Sequence, residues 1–355
     1  MRNTTWKIKT SNQNKSIMLN NFPIDQDILK ILHSRGIVSK KDIINFLDPS
    51  LDNIQPSSLL SDMKKSVDLI IECINNGKNI WIYGDYDVDG ITSTSILYLA
   101  LKDLGAEFLN YYIPIRDEGY GLNNTALKTI KNSGADLLIT VDCGITSFKE
   151  IEFAKSIGLD VIITDHHDIQ SDKIPNAYSI INPKRTDNAF TFNALAGVGV
   201  AFMLILNLYE KLKTKEEAYV YLDLVAIGTI ADIVPLVKEN RIFAKHGLEK
   251  LLYSENKGLR FLITKLFETA KLEFTTYDVG FVIAPVFNAA GRLKDAKMVV
   301  KLLTSDNDRE IEVISKELIN KNFERRELQT TLVELVEANI QKNNLNDNLV
   351  IVDAS

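Results

Sequence analysis

The chain has 355 residues, 45% apolar and 25% charged, with a net charge of −6 and only 17 Gly and 8 Pro. That length exceeds what a single hydrophobic core organises, and the composition excludes disordered, collagen-like and low-complexity chains. No apolar run approaches the roughly 20 residues of a membrane span, and the acidic balance excludes a broad basic coat for nucleic acid, though not a locally basic groove or an acidic pocket neutralised by metal.

Met1 to Lys7 lack the apolar core of a secretory signal, and two cysteines, Cys73 and Cys143, are too few for a disulfide framework. A cytoplasmic protein is expected. Residues 1–60 read as an N-terminal helical extension, carried by Ile28, Leu29, Ile31 and Leu32 and again by Ile43, Ile44, Phe46 and Leu47. From Ser61 the pattern alternates: helix 62–76, strand 80–83, helix 91–103, strand 107–113, helix 124–133, strand 137–141, helix 147–157, strand 161–164. This alternation predicts an α/β fold, a doubly wound, mainly parallel sheet covered by helices on both faces, over residues 61–190. Residues 191–305 read as a helical subregion of the same domain, and 306–345 as a long connector helix without Gly or Pro. Residues 346–355 carry one strand-like run, Leu349-Val350-Ile351-Val352, expected to be the first strand of a truncated second domain.

In open parallel sheets ligands bind beyond the carboxyl ends of the strands. Three predicted strands end in aspartate, giving Asp85-Tyr86-Asp87-Val88-Asp89-Gly90, Asp142-Cys143-Gly144 and Asp165-His166-His167. One aspartate suffices to cap a helix, whereas Asp85, Asp87 and Asp89 stand at alternate positions that can turn to the same side. Three carboxylates on one loop repel one another unless protons or cations neutralise them. Two of the four histidines are adjacent in the third segment. Mixed oxygen and imidazole ligands suit Mn²⁺ and, less well, Mg²⁺ or Zn²⁺, and so many ligands suggest two ions. Asp232, inside the apolar run from Ala226 to Leu236, needs a buried partner, and a cation would be one. Two such ions generate hydroxide at neutral pH and hold both oxygens of an in-line phosphoryl displacement, so phosphoester hydrolysis is the expected reaction. The helix opening at Gly90 offers free N–H groups and hydroxyls to a phosphate.

In this order the segments resemble the DHH phosphoesterase family, and within it the branch of exonucleases specific for single-stranded DNA. The branch resemblance rests on Arg116-Asp117-Glu118-Gly119-Tyr120-Gly121-Leu122, on Leu195-Ala196-Gly197-Val198-Gly199 and on Asn288-Ala289-Ala290-Gly291-Arg292-Leu293. It implies that Asp87, Asp89, Asp142, His166 and Asp232 hold two Mn²⁺, with Asp142 bridging, and that Mg²⁺ can substitute. Asp85 would support catalysis, Asp165 would orient its loop, and His167 would contact the scissile phosphate. Arg116, Tyr120, Asn288 and Arg292 would line the path of a single strand held by its 5′ end. The implied activity is 5′–3′ exonucleolysis in DNA repair and recombination, with helicases or single-strand-binding proteins as partners. Many DHH enzymes place a histidine where this chain has Tyr83, which implies weaker binding of one ion. Two other readings stay open: a DHH hydrolase of a small phosphate compound such as pyrophosphate, a dinucleotide or very short RNA, and an inactive truncated nucleotide-binding remnant.

Overall fold

The computed structural model describes residues 17–19, 22–170, 173–267, 269–292 and 296–342. The chain opens with a two-residue antiparallel pair, β1 (Met18–Leu19) and β2 (Phe22–Pro23), then α1 (Gln26–Ser34) and α2 (Lys40–Leu47). Leu29, Leu32 and Ile43 bury a small core of their own there. Both helices begin where an oxygen side chain can take up a free N–H: Asp25 accepts from Asp27 and Ile28, and Ser39 from Asp42.

The alternating region continues as α3 (Met63–Asn75), β3 (Ile80–Gly84), α4 (Val88–Asp103), β4 (Leu109–Tyr112), α5 (Asn124–Asn132), β5 (Leu137–Val141), α6 (Phe148–Ser156), β6 (Asp160–Thr164) and β7 (Ser179–Ile181). All five strands are parallel, in the order β4-β3-β5-β6-β7. Because successive side chains alternate across a strand, Ile80 and Ile82 enter the core shared with α3, α4 and the later helices, while Trp81 and Tyr83 face α5 and α6. The expected doubly wound α/β architecture is the one observed. The chain leaves β3 toward β4 on one side and returns to β5 on the other, which opens a crevice at the carboxyl ends of β3 and β5.

Two local differences from the sequence reading bear on function. Helix α4 starts at Val88 rather than 91, because the Asp87 carboxylate caps it by accepting from Gly90 N–H at 3.0 Å. Asp89 therefore sits in the first turn of a helix, not on an extended loop. The edge strand β7, unread in the sequence, places Asn182 directly under the histidine pair.

The helical part comprises α7 (Gly197–Leu212), α8 (Leu222–Ala231), α9 (Lys238–Lys250), α10 (Lys257–Leu266), a π-helical turn (Asp278–Ile283), α11 (Ala284–Arg292) and α12 (Lys297–Thr304). Helices α7 and α8 are apolar almost all round and buried, as expected of helices packed directly on α4 and the sheet. Helix α13 (Asp308–Lys342) has 35 residues, about 52 Å at 1.5 Å per residue. Its first third buries Ile311, Ile314 and Leu318, and beyond that Phe323, Leu328, Leu332 and Leu335 are exposed. The strand expected within 346–355 lies outside the described residues. Among the described residues no helix is long and apolar enough to cross a membrane.

Candidate metal centre

The acidic residues come together because the strands that precede them are parallel neighbours. Asp85 and Asp87 follow β3, Asp142 follows β5 and Asp165, His166 and His167 follow β6, so all leave the sheet at one edge. Asp232 arrives from the helical half at the C-cap of α8, beside Ile233, whose backbone is left-handed (φ 62°). Three groups of potential ligands result, with atoms within 4.8 Å of one another: Asp85, Asp87 and Asp142; Asp142, His166 and His167; and Asp89, His166 and Asp232.

Asp142 belongs to two of these groups. It adopts φ 59°, a left-handed conformation that Asp tolerates better than most residues, and this turns its carboxylate back into the crevice. Its amide donates to Thr164 O at 3.0 Å, which ties the turn to β6. A glycine is required opposite: a Cβ on Gly197 would come within 2.5 Å of Asp142 Oδ1. Gly197 serves a second purpose, because its N–H and that of Val198 donate to the two oxygens of Asp89 at 2.6 and 2.7 Å. The amino end of α7 thus holds one carboxylate while making room for another. In the sequence, Leu195-Ala196-Gly197-Val198-Gly199 carries only the branch resemblance; the contact with Asp142 has no signal of its own.

The electrostatics are those of crowded, buried negative charge. Asp85, Asp89 and Asp232 are each pushed up to about 7, first by burial and then by neighbouring carboxylates, chiefly Asp87 for the first two and Asp89 for Asp232. Asp142 is raised further by the same causes. Oδ1 of Asp85, Oδ1 of Asp142 and Oδ2 of Asp232 are buried with no hydrogen-bond partner. His166 Nε2 lies 3.1 Å from Asp142 Oδ1 and 3.8 Å from both Asp89 Oδ2 and Asp232 Oδ2, without the alignment of a hydrogen bond to Asp142 or Asp232. Burial holds this imidazole below its ordinary pKa, in the neutral form a metal requires. Among the described residues no lysine or arginine nitrogen lies within 4.0 Å of these carboxylates. Buried, unpaired oxygens facing a neutral imidazole are the donor set that divalent cations satisfy.

His167 is held differently. Its Nδ1 lies 2.7 Å from Asp165 Oδ1, and the hydroxyl of Tyr120 is 3.0 Å from Nε2, the nitrogen left free by that contact. Asp165 also accepts from the backbone N–H groups of His166 and His167 and, through Oδ2, from Ile145. Burial alone would raise Asp165, but the His167 ring and these amides hold it below its usual range. The bond to Asp165 in turn raises His167. Asn182 braces the loop from below by donating to His167 O at 3.1 Å.

Tyr83, at the position where the resemblance suggests histidine, is buried in the core beneath α5 and α6. Its ring stacks on Tyr112, and its hydroxyl donates to Gly121 O at 2.9 Å. Glu118 adds a second tie by accepting from Tyr112 and from Asn123. Together they moor the loop that carries Arg116 and Tyr120. Arg116 lies over the Tyr86 ring at 4.7 Å, beside the acidic loop. Asn288 instead lines a groove against α13. Arg292 ends α11, and its side chain lies outside the described residues.

The N-terminal domain of the DHH family matches residues 79–229. A crystal structure of exonuclease RecJ bound to manganese superposes with a TM-score of 0.71 at 36% identity, over 78% of this chain and 69% of that one. The chain belongs to the DHH family. Within this family it is 37% identical over 98% of its length to the single-stranded-DNA-specific exonuclease RecJ of Bacillus subtilis, and 37% identical over 84% to that of Escherichia coli. RecJ from Thermus thermophilus in complex with Mn²⁺ superposes with a TM-score of 0.72 at 34% identity, over 85% of this chain and 42% of that one. The chain covers 43% and 53% of the Bacillus and Escherichia proteins, so it spans about half the length of the curated relatives it matches.

Proposed function

We propose that this DHH-family chain is the catalytic part of a metal-dependent exonuclease that hydrolyses phosphodiester bonds of single-stranded DNA from a 5′ end. The observation that carries the reading is the pair of buried, unpaired carboxylate oxygens, Asp142 Oδ1 and Asp232 Oδ2, beside His166 Nε2. In this proposal Asp87, Asp89, Asp142, His166 and Asp232 would hold two Mn²⁺, with Asp142 common to two of the ligand groups, and Asp85 would be a supporting carboxylate. Bound there, the ions supply Lewis acidity toward phosphate oxygens and water.

The protein's own residues do the remainder. Asp165 fixes the His167 ring through Nδ1 and favours its charged form, so Nε2 can donate to a phosphate oxygen or to the departing alkoxide. In the absence of substrate Tyr120 occupies that nitrogen, and an arriving phosphate competes with its hydroxyl. Arg116 and Tyr120, on the loop moored by Tyr83, provide a guanidinium for phosphate and a ring for a base. A small phosphate compound needs no such flanking surface.

The test compares Mn²⁺-dependent hydrolysis of a 5′-phosphorylated strand of about 20 nucleotides with that of a dinucleotide. The strand should be the better substrate by kcat/KM, and a chelator should abolish its hydrolysis. A dinucleotide turned over as well or better would replace this reading by the small-substrate one.

A further inference from the structure

We infer that the groove between the π-helical turn, α11 and α13 is a second contact site for single-stranded nucleic acid, with bases stacked on Tyr277 and Phe281 and a phosphate on Arg326. The inference rests on the function proposed above and extends it to a surface outside the metal centre. Tyr277 and Phe281 are 64% and 67% exposed, yet their rings stack on each other with centroids 4.9 Å apart and planes inclined by 21°. Two large rings left together in water form a ready platform for a further planar group. They flank or stand on the π-helical turn Asp278–Ile283, a helix irregularity that recurs at functional sites.

Beside the rings lies a cavity of about 610 Å³ whose walls include Phe281, Pro285, Asn288, Arg325 and Arg326, with Glu334 also on its lining. Arg325 is braced by Asn322 Oδ1 at 3.1 Å, and the exposed Arg326 beside it is the group assigned to phosphate. On a protein of net charge −6, the exposed guanidinium of Arg326 near stacked aromatics matches a polyanion that carries flat bases. Leu328, Leu332 and Leu335, the exposed leucines of α13, lie on a helix face that does not line the cavity; the apolar side chain that α13 gives to the cavity wall is Val333.

Helix α11, one wall of the groove, touches the metal loop at its far end. Gly291 of α11 approaches so closely that a Cβ there would come within 2.6 Å of Tyr86 O. At roughly 1.5 Å per residue the helix carries this wall from Gly291 back to Phe281 over about 15 Å, a reach that a few nucleotides of extended strand can span.

Binding of a fluorescent oligothymidylate of about 20 nucleotides, followed by anisotropy in EDTA, isolates the groove from metal-dependent contacts. Phe281→Ala and Tyr277→Ala should each weaken Kd about tenfold. Arg326→Ala should weaken it too and reduce the salt dependence of log K by roughly 0.7. All three side chains are exposed, so Tm should not move. Variants that bind as tightly as the unaltered chain overturn the inference, as does an unaltered chain that does not bind in EDTA. A substitution that changes the oligomeric state but not strand affinity overturns it in favour of a protein-docking surface. Strand binding through these residues without Mn²⁺-dependent cleavage would sink the hydrolase reading and leave the groove standing. Cleavage combined with indifference to the three substitutions would do the reverse.

Discussion

Asp142 and Asp165 end neighbouring strands, β5 and β6, and are equally buried, at 2% and 1% exposure, but their surroundings are opposite. Asp165 accepts three backbone N–H groups and an imidazole. Asp142 has an oxygen with no partner and other carboxylates for company. Burial therefore does not distinguish a structural acid from a ligand; the count of donors does. A carboxylate whose lone pairs are already used organises a loop, and one whose lone pairs are unused awaits a cation.

The largest effect that would sharpen this contrast concerns Asp142. Asp142→Asn should lower Mn²⁺-dependent kcat by about a thousandfold or more while leaving metal-free stability unchanged or raised by about 1 kcal/mol, since a repelled charge is removed. Retained activity, or a lower Tm without metal, would break the comparison. Asp165→Asn should behave in the opposite way. Its amide cannot accept at both ends, so either Ile145 N–H or the histidine pair faces a donor, and denaturant unfolding should register a loss of about 2 kcal/mol. An unaltered unfolding midpoint would show that the loop does not depend on Asp165.

A further effect is one of pH. Asp85, Asp89 and Asp232, lifted to about 7 from 3.8, hold protons in the metal-free fold that the unfolded chain releases. Their penalty on folding is absent below about pH 4 and grows as pH rises toward 7. Asp165, held low, acts with the opposite sign: its contribution is present above 3.8 and is lost as pH falls through its lower native value. Thermal melts of metal-free protein should show stability falling from pH 4 to 7, and Mn²⁺ should flatten or invert that slope. A metal-free slope already flat would mean that the carboxylates are neutralised by something other than an ion.

Much of this centre was legible because parallel strands buried on both faces read as apolar runs, and the residues just past each run leave the sheet at the same edge. The acids after β3, β5 and β6 could thus be grouped before any coordinates, and Asp232 stood out as a charge in an apolar helix. Strand β7 escaped because Ser179, Ile180 and Ile181 are too few to show alternation, and with it the support from Asn182 was hidden. The early start of α4 escaped because the alternating aspartates read as extended, while one of them was capping the helix. Gly197 could be noticed, but its purpose depends on a carboxylate 55 positions earlier in the chain. Likewise, no local pattern tells that the Tyr83 hydroxyl points to Gly121.

The left-handed backbone at Asp142 restricts which amino acids its codon can drift to without harm. Asparagine and glycine both accept that conformation, and each lies a single base change from aspartate. On the role proposed for Asp142, a descendant that folds normally, keeps its surface and has lost its chemistry is therefore one mutational step away, so gene duplicates of such a protein have a short route to becoming passive binders.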